Sequence, residues 1–315
     1  MNPFILTAQP EKEYALIDSG DGEKLERFGD VVLRRPDPQA LWPQSLPMKE
    51  WLKADAEFPK TGEVTEDAEG NVKKGTKTWT KKPSVPEKWE IGFGGLRFGI
   101  KLTPFKHTGL FPEQLSQWAF MRKALKEASF ADRHEKVSVL NLFAYTGGAT
   151  MACAQEGAEV THVDASHGTV NWAKENAVAS GLAEAPIRWI VEDALVFAKK
   201  ELKRGKKYDA IIMDPPAFGR GAKGEIWKIE EKFIELLEVA TKLLSDKPLF
   251  FVLNGYSAGY SAIGYANVLQ AALEARGIQS ENMLEAGELA IRGEGIKGGI
   301  GGVLLPAGIF ARWRA

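Results

Sequence analysis

The sequence is poor in cysteine, and Cys153 is the only one among 315 residues. A single thiol excludes an intrachain disulfide and a cysteine-rich zinc site. No run approaches the roughly 18 apolar residues of a membrane-spanning helix. The first twenty residues lack a basic start followed by a long apolar stretch, so we expect no signal peptide. The four histidines show no metal-ligand spacing, so no metal is expected either. This pattern is typical of a soluble cytoplasmic protein.

Neither sign of charge is in excess, because 41 Lys and Arg residues oppose 42 Asp and Glu residues, for a net charge of −1 at pH 7. General nucleic-acid binders usually carry a basic surface. The balance therefore gives no global attraction for nucleic acid, and such a partner requires local basic clusters. The composition is otherwise that of an ordinary folded protein, with 44% hydrophobic and 26% charged residues.

Two regions differ in the spacing of their turn signals and in their pattern of predicted helices and strands, and we place the boundary between residues 105 and 106. Residues 1–105 carry turn signals at short spacing, with brief β-prone runs such as Tyr14–Asp18 and Val31–Arg34 between them. This pattern predicts a small, mostly β domain. Four of the nine tryptophans lie in this region, and core packing is their simplest role: Trp42, Trp51, Trp79 and Trp89.

Residues 106–315 alternate between helical and strand patterns. Short apolar runs predict seven strands, at about 137–144, 159–163, 187–191, 208–213, 249–253, 283–291 and 303–313. Helical patterns separate the first five, and the clearest helix spans residues 229–243 at 3.6-residue spacing. Strands that are apolar on both faces and joined by helices indicate a parallel, doubly wound α/β sheet. The last two have no helix between them and supply an antiparallel strand near the C-terminus.

The residues that follow each parallel strand indicate a nucleotide site. Ligands of open parallel sheets bind at the carboxyl ends of the strands. There the chain places the loop Phe143–Gly148, then Asp164, Asp193 and Asp214. Paired glycines permit close backbone approach, and an acidic residue after the second strand is suited to ribose hydroxyls. Each signal has a simpler explanation, namely a tight turn, a helix cap or a strand terminator. Their occurrence on four consecutive strand ends favours an adenosine site.

The same loop helps to distinguish between classes of adenosine cofactor. A dinucleotide site usually shows G-x-G-x-x-G, which seats the pyrophosphate on a helix N-terminus. The loop Ala144–Ala149 reads A-Y-T-G-G-A and lacks that spacing. S-adenosylmethionine has no pyrophosphate, so the loop favours a methyl donor over a nicotinamide cofactor.

Several motifs resemble class I S-adenosylmethionine-dependent methyltransferases of bacterial large-subunit ribosomal RNA, a family that includes 5-methylcytosine and 7-methylguanine enzymes. These motifs are VLNLFAYTG at 139–147, VDAS at 163–166, WAKEN at 172–176, DPPAF at 214–218 and KHTGLFPEQ at 106–114. The resemblance covers about residues 95–315 and implies a Rossmann-like, seven-stranded methyltransferase sheet. The N-terminal region does not resemble the RNA-binding PUA domain of some relatives.

The resemblance also implies site residues. Those expected to hold S-adenosylmethionine are Phe111, Gln114, Phe143, Ala144, Tyr145, Thr146, Gly147, Gly148, Asp164, Ala165, Ser166, Asp193, Ala194 and Asp214. Those expected at the reacting groups are Asp214, Pro215, Asn254 and Phe218. Phe218 either stacks on the target base or packs back on the sheet.

The position of the single cysteine bears on the chemistry. Relatives that methylate C5 of cytosine carry a cysteine just after the fifth strand, where this chain has Asn254. Cys153 lies elsewhere, among small residues of a helix, and is expected to be a packing residue. Direct transfer to a guanine N7, an exocyclic amine or a ribose oxygen is therefore expected. Asn254 matches an Asn of the 7-methylguanine branch.

Local basic clusters give the expected RNA contacts. We assign them to a basic strand around Trp79 and to the loop after Pro216, with the residues Lys77, Lys81, Lys82, Arg220 and Lys223. A solvated loop with incidental charges explains the second cluster equally well. Other readings stay open: a methyltransferase of proteins or small molecules, an NAD(P)-dependent oxidoreductase and a non-catalytic RNA-binding module. The oligomeric state is not predicted.

Overall fold

The computed structural model describes residues 4–60, 64–66, 72–74, 78–104, 106–129, 136–221, 224–256, 259–280, 283–294 and 303–315. The strands are β1 Phe4–Ala8, β2 Tyr14–Gly20, β3 Glu23–Phe28, β4 Val31–Pro36, β5 Ala56–Glu57, β6 Val64–Glu66, β7 Val72–Lys74, β8 Thr80–Lys81, β9 Trp89–Phe93, β10 Leu96–Ile100, β11 Ser138–Leu142, β12 Glu159–Asp164, β13 Ile187–Val191, β14 Ala210–Met213, β15 Phe218–Arg220, β16 Ile226–Lys228, β17 Phe250–Gly255, β18 Leu284–Arg292 and β19 Leu304–Arg314. The helices are α1 Met48–Trp51, α2 Leu115–Ser129, α3 Gly148–Gln155, α4 His167–Ala179, α5 Ala194–Lys203, α6 Ile229–Lys242 and α7 Ala262–Ala275, with a 3-10 turn at Pro112–Gln114.

The chain forms two compact units from non-contiguous segments. The larger comprises Met1–Leu6, Glu113–Leu289 and Ala307–Ala315, and the smaller comprises Thr7–Pro112 and Ala290–Pro306. The domain boundary between residues 105 and 106 stays a prediction. None of the helices in the described residues is long and apolar enough to cross a membrane.

The larger unit is built on one sheet with the order β1-β18-β19-β17-β14-β11-β12-β13. The five strands from β17 to β13 are parallel, and β19 pairs antiparallel with β17. The predicted Rossmann-like fold class is confirmed, and the sheet has an eighth strand because β1 from the N-terminal region adds to its edge. The chain runs from the central β11 outwards to β13 and then returns to β14. This reversal makes the carboxyl ends of β11 and β14 the switch point where ligands bind.

Apolar burial on both faces explains why these residues form the centre of the sheet. Every residue of β14 and β17 is buried, as expected for parallel strands covered by helices. Helix α6 turns its periodic apolar side to this sheet, with Phe233, Leu236 and Ala240 buried. The hairpin of β15 and β16, between β14 and α6, was not predicted.

The smaller unit contains a five-stranded sheet in the order β2-β3-β4-β5-β8 and a separate hairpin of β9 and β10. Its core holds a buried charge pair. Glu26 accepts hydrogen bonds from the Arg35 guanidinium and, at 2.9 Å, from the Tyr14 hydroxyl. Burial raises the pKa of Glu26, but Arg35 and Lys24 outweigh it and hold that pKa below its ordinary value. Glu26 is therefore ionised, and its partner is buried with it.

We expect Glu26→Ala to destabilise the protein by about 3 kcal/mol, because Arg35 is left as a buried charge without its carboxylate. Urea unfolding measures the loss. Glu50→Ala is the matched control, since it removes a solvent-exposed ion pair with Lys53, and such pairs contribute little to stability. Equal losses in the two variants would contradict the importance assigned to the buried pair.

Candidate cofactor site and active site

The loop after β11 is held in an unusual backbone conformation. Phe143 and Tyr145 have positive φ angles of 58° and 49°. Such angles are strained for residues with a side chain, so neighbouring contacts must hold them. The Ala144 N–H donates to the Val163 carbonyl at 3.0 Å, and the Tyr145 N–H donates to Asp164 Oδ2 at 3.0 Å. The end of β12 therefore anchors the loop predicted to hold the cofactor.

The paired glycines have a packing reason as well as a conformational one. Gly147 adopts φ 89° and caps α3, and a Cβ there would lie 3.1 Å from Ala173 Cβ. A Cβ on Gly148 would lie 2.3 Å from the indole ring of Trp118, so α2 and α3 approach closely at this point. The structure thus supports the tight-turn explanation for Gly147 and gives Gly148 a helix-packing role, whether or not a ligand also approaches them.

The acidic residues after β12 and β13 differ in their surroundings. Asp164 accepts backbone N–H bonds on both oxygens, from Ser166 at 2.9 Å and from Tyr145. Burial raises the pKa of Asp164, and these two N–H groups oppose the rise. Ser166 caps α4, and Asp193 caps α5 through an N–H bond from Val196 at 2.9 Å. Asp193 and Ser166 therefore have the structural role of helix caps.

A buried polar trio beneath the loop was missed by the sequence reasoning. Asn141 Nδ2 donates to Thr150 Oγ1 at 2.9 Å, and Thr150 Oγ1 lies 2.9 Å from His162 Nδ1. Burial, aided by the charge of Lys174, lowers the pKa of His162 to about 3, so the ring is neutral. The signal available in the sequence was a polar residue in the middle of each strand run, Asn141 in VLNL and His162 in VTHVD.

Asp214 directly follows β14, and its carboxyl group is buried. Gln114 Nε2 lies 3.4 Å from Asp214 Oδ2, and Oδ1 has no hydrogen-bond partner among the residues that the structure describes. Burial, with a smaller contribution from Glu113, raises the pKa of Asp214 to about 8. The following residue, Pro215, is also buried. This carboxyl group can therefore change its protonation near neutral pH.

Asn254 is predicted at the reacting groups, yet its side chain is only 1% exposed. Its Nδ2 donates to Gln114 Oε1 at 3.2 Å, and its Oδ1 accepts from Gln117 Nε2 at 3.0 Å. Tyr256 also enters the site, because its hydroxyl lies 2.5 Å from Gln114 Nε2. Gln117 and Tyr256 carried no motif and could not be found from the sequence.

The hairpin of β15 and β16 presents Phe218, whose side chain is 55% exposed and is not packed back on the sheet. Arg220 is exposed on the same strand. Trp227 fixes the hairpin, since its Nε1 donates to the Pro216 carbonyl at 2.6 Å and its ring lies 4.8 Å from that of Phe143. The hairpin is thus attached both to the residues after Asp214 and to the first loop.

The remaining predicted residues lie elsewhere. Phe111 belongs to the smaller unit, where its ring lies 5.5 Å from that of His107. Lys81 pairs with Glu87, and Lys82 pairs with Asp55 at 3.1 Å. Of the lysines assigned to the basic strand around Trp79, only Lys81 lies on a strand, β8, within the described residues. Lys77 and Lys223 lie outside the described residues.

The raised pKa of Asp214 has a consequence for stability. The folded state disfavours the ionised carboxyl, so this group costs stability progressively as pH rises from its ordinary pKa of 3.8 to about 8. Asp214→Asn removes that cost. We expect its gain in unfolding free energy to be larger at about pH 8.5 than at about pH 5.5, by on the order of 2 kcal/mol.

Urea unfolding without cofactor at the two pH values measures the difference. Asp246→Asn, at a solvent-exposed carboxylate, is the control. A gain in Asp214→Asn that does not change with pH would contradict the burial of the Asp214 carboxyl.

Known proteins share this architecture. A family model of S-adenosylmethionine-dependent methyltransferases matches residues 75–248. A crystal structure of the SAM-dependent methyltransferase from Agrobacterium tumefaciens is 38% identical, with a TM-score of 0.87 over 100% of this chain and 94% of that one. A structure from Streptococcus mutans, at 17% identity, TM-score 0.63 and coverage of 96% and 75%, shows the shared fold alone.

Curated relatives carry ribosomal RNA names. Ribosomal RNA large subunit methyltransferase K/L of Shewanella frigidimarina is 37% identical over 48% of this chain and 20% of its own length. Ribosomal RNA large subunit methyltransferase K of Neisseria meningitidis is 29% identical over 77% of this chain and 66% of its own length. The chain thus spans about a fifth of the first relative and just under two thirds of the second. The family match covers more than half of the chain, and the protein belongs to the S-adenosylmethionine-dependent methyltransferases.

Proposed function

We propose that the chain transfers the methyl group of S-adenosylmethionine to a base of 23S ribosomal RNA in the cytoplasm, directly and without a cysteine adduct. The observation that carries the proposal is the arrangement of side chains directly after β14. A buried carboxyl, Asp214, lies four residues before an exposed aromatic ring, Phe218, on a hairpin fixed by Trp227. The names of the curated relatives supply the substrate class.

The residues present fit a cationic cofactor. S-adenosylmethionine supplies a methyl group on a positively charged sulfur. Within the described part of the chain, Asp214 Oδ1 is a buried acceptor without a partner, and a raised pKa marks a carboxyl that lacks positive charge nearby. The loop Phe143–Gly148 would hold the methionine arm, and Asp164 would accept the ribose hydroxyls on lone pairs not used by Tyr145 and Ser166. We also keep Ala165, Asp193 and Ala194 as predicted cofactor-binding residues.

The lack of a usable thiol supports direct transfer without a cysteine adduct. Cys153 is the only cysteine in the sequence, and burial raises its pKa to about 12. A thiol that is neither ionised nor accessible cannot add to a pyrimidine ring. The acceptor must then have its own lone pair, such as guanine N7 or an exocyclic amine. For N7, positioning suffices, whereas an amine needs a base, and ionised Asp214 is placed to take that proton.

RNA contact is assigned to the hairpin. Phe218 offers a stacking surface that tolerates any base. Arg220, on the same β-strand of the hairpin, offers a positive charge that can contact an RNA phosphate. Lys81 and Lys82 already have acidic partners in the smaller unit. Their assignment to RNA, with that of Lys77 and Lys223, therefore stays a prediction with less support than the hairpin.

The reaction can be tested by tritiated-methyl transfer to ribosomal RNA from a strain that lacks this protein, followed by nucleoside digestion. We expect one methylated base, and Cys153→Ala should keep wild-type activity because the thiol takes no part. Phe218→Ala should reduce transfer by roughly tenfold or more through the loss of a stacking contact. Transfer to protein or to small molecules, with none to RNA, would overturn the substrate assignment.

The cofactor assignment has its own test. Asp164→Asn should weaken S-adenosylmethionine binding by roughly tenfold or more, because a charged acceptor and the anchor of the loop are weakened together. Calorimetric titration measures the dissociation constant. Asp209→Asn is the matched control, since its carboxylate bonds Ser138 and Ser245 at the opposite ends of the strands. A comparable loss in both variants would indicate a general structural effect.

A further inference from the structure

Four side chains of the larger unit form a directed line of hydrogen bonds that ends at Asp214. We call this line the amide chain, and its members are Arg312 on β19, Gln117 on α2, Asn254 on β17 and Gln114 in the 3-10 turn. The successive donor–acceptor distances are 3.0 Å from Arg312 to Gln117, 3.0 Å from Gln117 to Asn254, 3.2 Å from Asn254 to Gln114 and 3.4 Å from Gln114 to Asp214.

The direction of the amide chain follows from chemistry. A guanidinium has only donors, so Gln117 must present its oxygen to Arg312 and its NH2 group to the next residue. Asn254 must then accept from Gln117 and donate onwards, and Gln114 does the same. Because all three amides are buried, water does not replace their partners. The last NH2 group therefore faces Asp214 Oδ2.

Arg312 is itself held in place. Its Nε and Nη2 both bond Glu285 Oε2, at 2.8 and 2.6 Å, which leaves Nη1 for Gln117. Its guanidinium carbon lies 4.2 Å from the centroid of the Phe120 ring. The donor-only end of the amide chain is thus fixed by contacts outside the site.

We propose that Arg312 is a positioning residue that sets the direction of the amide chain, so that Gln114 presents a donor and not an acceptor to the Asp214 carboxylate. Without this end, the three amides can reverse together, and Gln114 Oε1 then faces Asp214. An oxygen against a carboxylate is repulsive and favours the protonated acid. The inference rests on the proposed role of Asp214 in the reaction.

Other groups also act on Asp214. Among the residues that the structure describes, the titratable side chains that interact with it are Glu113 beside Gln114, Tyr256 after β17 and Tyr265 on α7. The test variants leave all three in place, so any change in the titration of Asp214 comes from the amide chain or from the lost charge of Arg312.

A neutral substitution separates these two causes. Gln117→Met keeps the approximate shape of the Gln117 side chain and leaves the charge of Arg312 in place. It interrupts the amide chain because methionine neither donates nor accepts as an amide does. We expect the pKa of Asp214 to rise by on the order of one pH unit in this variant, as also in Arg312→Met. The double variant should show no further rise beyond Arg312→Met, because both changes break the same line. A cavity of about 520 Å³ borders Arg312, so methionine fits there.

The measurement is the carboxyl carbon shift of Asp214 in ¹³C-aspartate-labelled protein titrated without cofactor, with Asp214→Asn assigning the signal. Gln155→Met is the matched control, since Gln155 also accepts from an arginine, Arg122, outside the site. A Gln117→Met titration that equals the wild type would overturn the proposal and leave only a charge effect of Arg312.

Methyl transfer gives a second readout. In Gln117→Met, kcat should fall by several fold with little change in KM for S-adenosylmethionine, and its pH profile should move with the titration of Asp214. If the wild type transfers no methyl group to RNA while the carboxyl titration still shifts in the variants, the proposed function fails and the direction of the amide chain stands. If transfer occurs but the titration does not shift, the proposed function stands and the proposed role of the amide chain fails.

Discussion

The buried carboxyl of Asp214 is the constraint on which the rest of the site depends. Its backbone N–H donates to the Leu142 carbonyl at 3.3 Å, so the carboxyl belongs to the joined ends of the two central strands. Removing a carboxylate from water is costly unless donors or a cation compensate. Among the described residues the compensation is one amide at 3.4 Å, and the raised pKa of Asp214 is the result. A cationic sulfonium relieves this cost, whereas an anionic pyrophosphate would add to it. The electrostatics thus favour the methyl donor independently of the glycine spacing.

The strained loop is the second condition for the site. Phe143 and Tyr145 keep positive φ angles because the Val163 carbonyl and the Asp164 carboxylate, at the end of β12, accept hydrogen bonds from the N–H groups of Ala144 and Tyr145. Asp164 therefore serves the fold before any ligand binds, since it ties the first loop to the start of α4. Because these contacts already orient Asp164, ligand binding has little further to order there.

The sequence predicted the parallel strands and their helices well, because burial on both faces leaves a plain apolar signal and glycines such as Gly157 and Gly181 end helices at positive φ. The eighth strand could not be predicted, since β1 pairs across nearly the whole length of the chain. The β15–β16 hairpin was missed because its strands have only three residues each. Among site residues, motifs led to Asp164 and Asp214, whereas Gln117 and Arg312 act through long-range contacts that no local pattern records.

A neutral amide chain suits Asp214 better than a direct cation would. A lysine or arginine in contact with this carboxylate would lower its pKa and fix it as a structural ion pair. It would also occupy the oxygens that we propose face the positive charge of the cofactor. An amide donor orients Oδ2 without neutralising the charge, so the carboxylate remains available on Oδ1. Arg312 lies three amides away, where its donors set direction while Glu285 balances its charge. The arrangement therefore separates the orientation of the carboxyl group from its neutralisation and leaves the second task to the ligand.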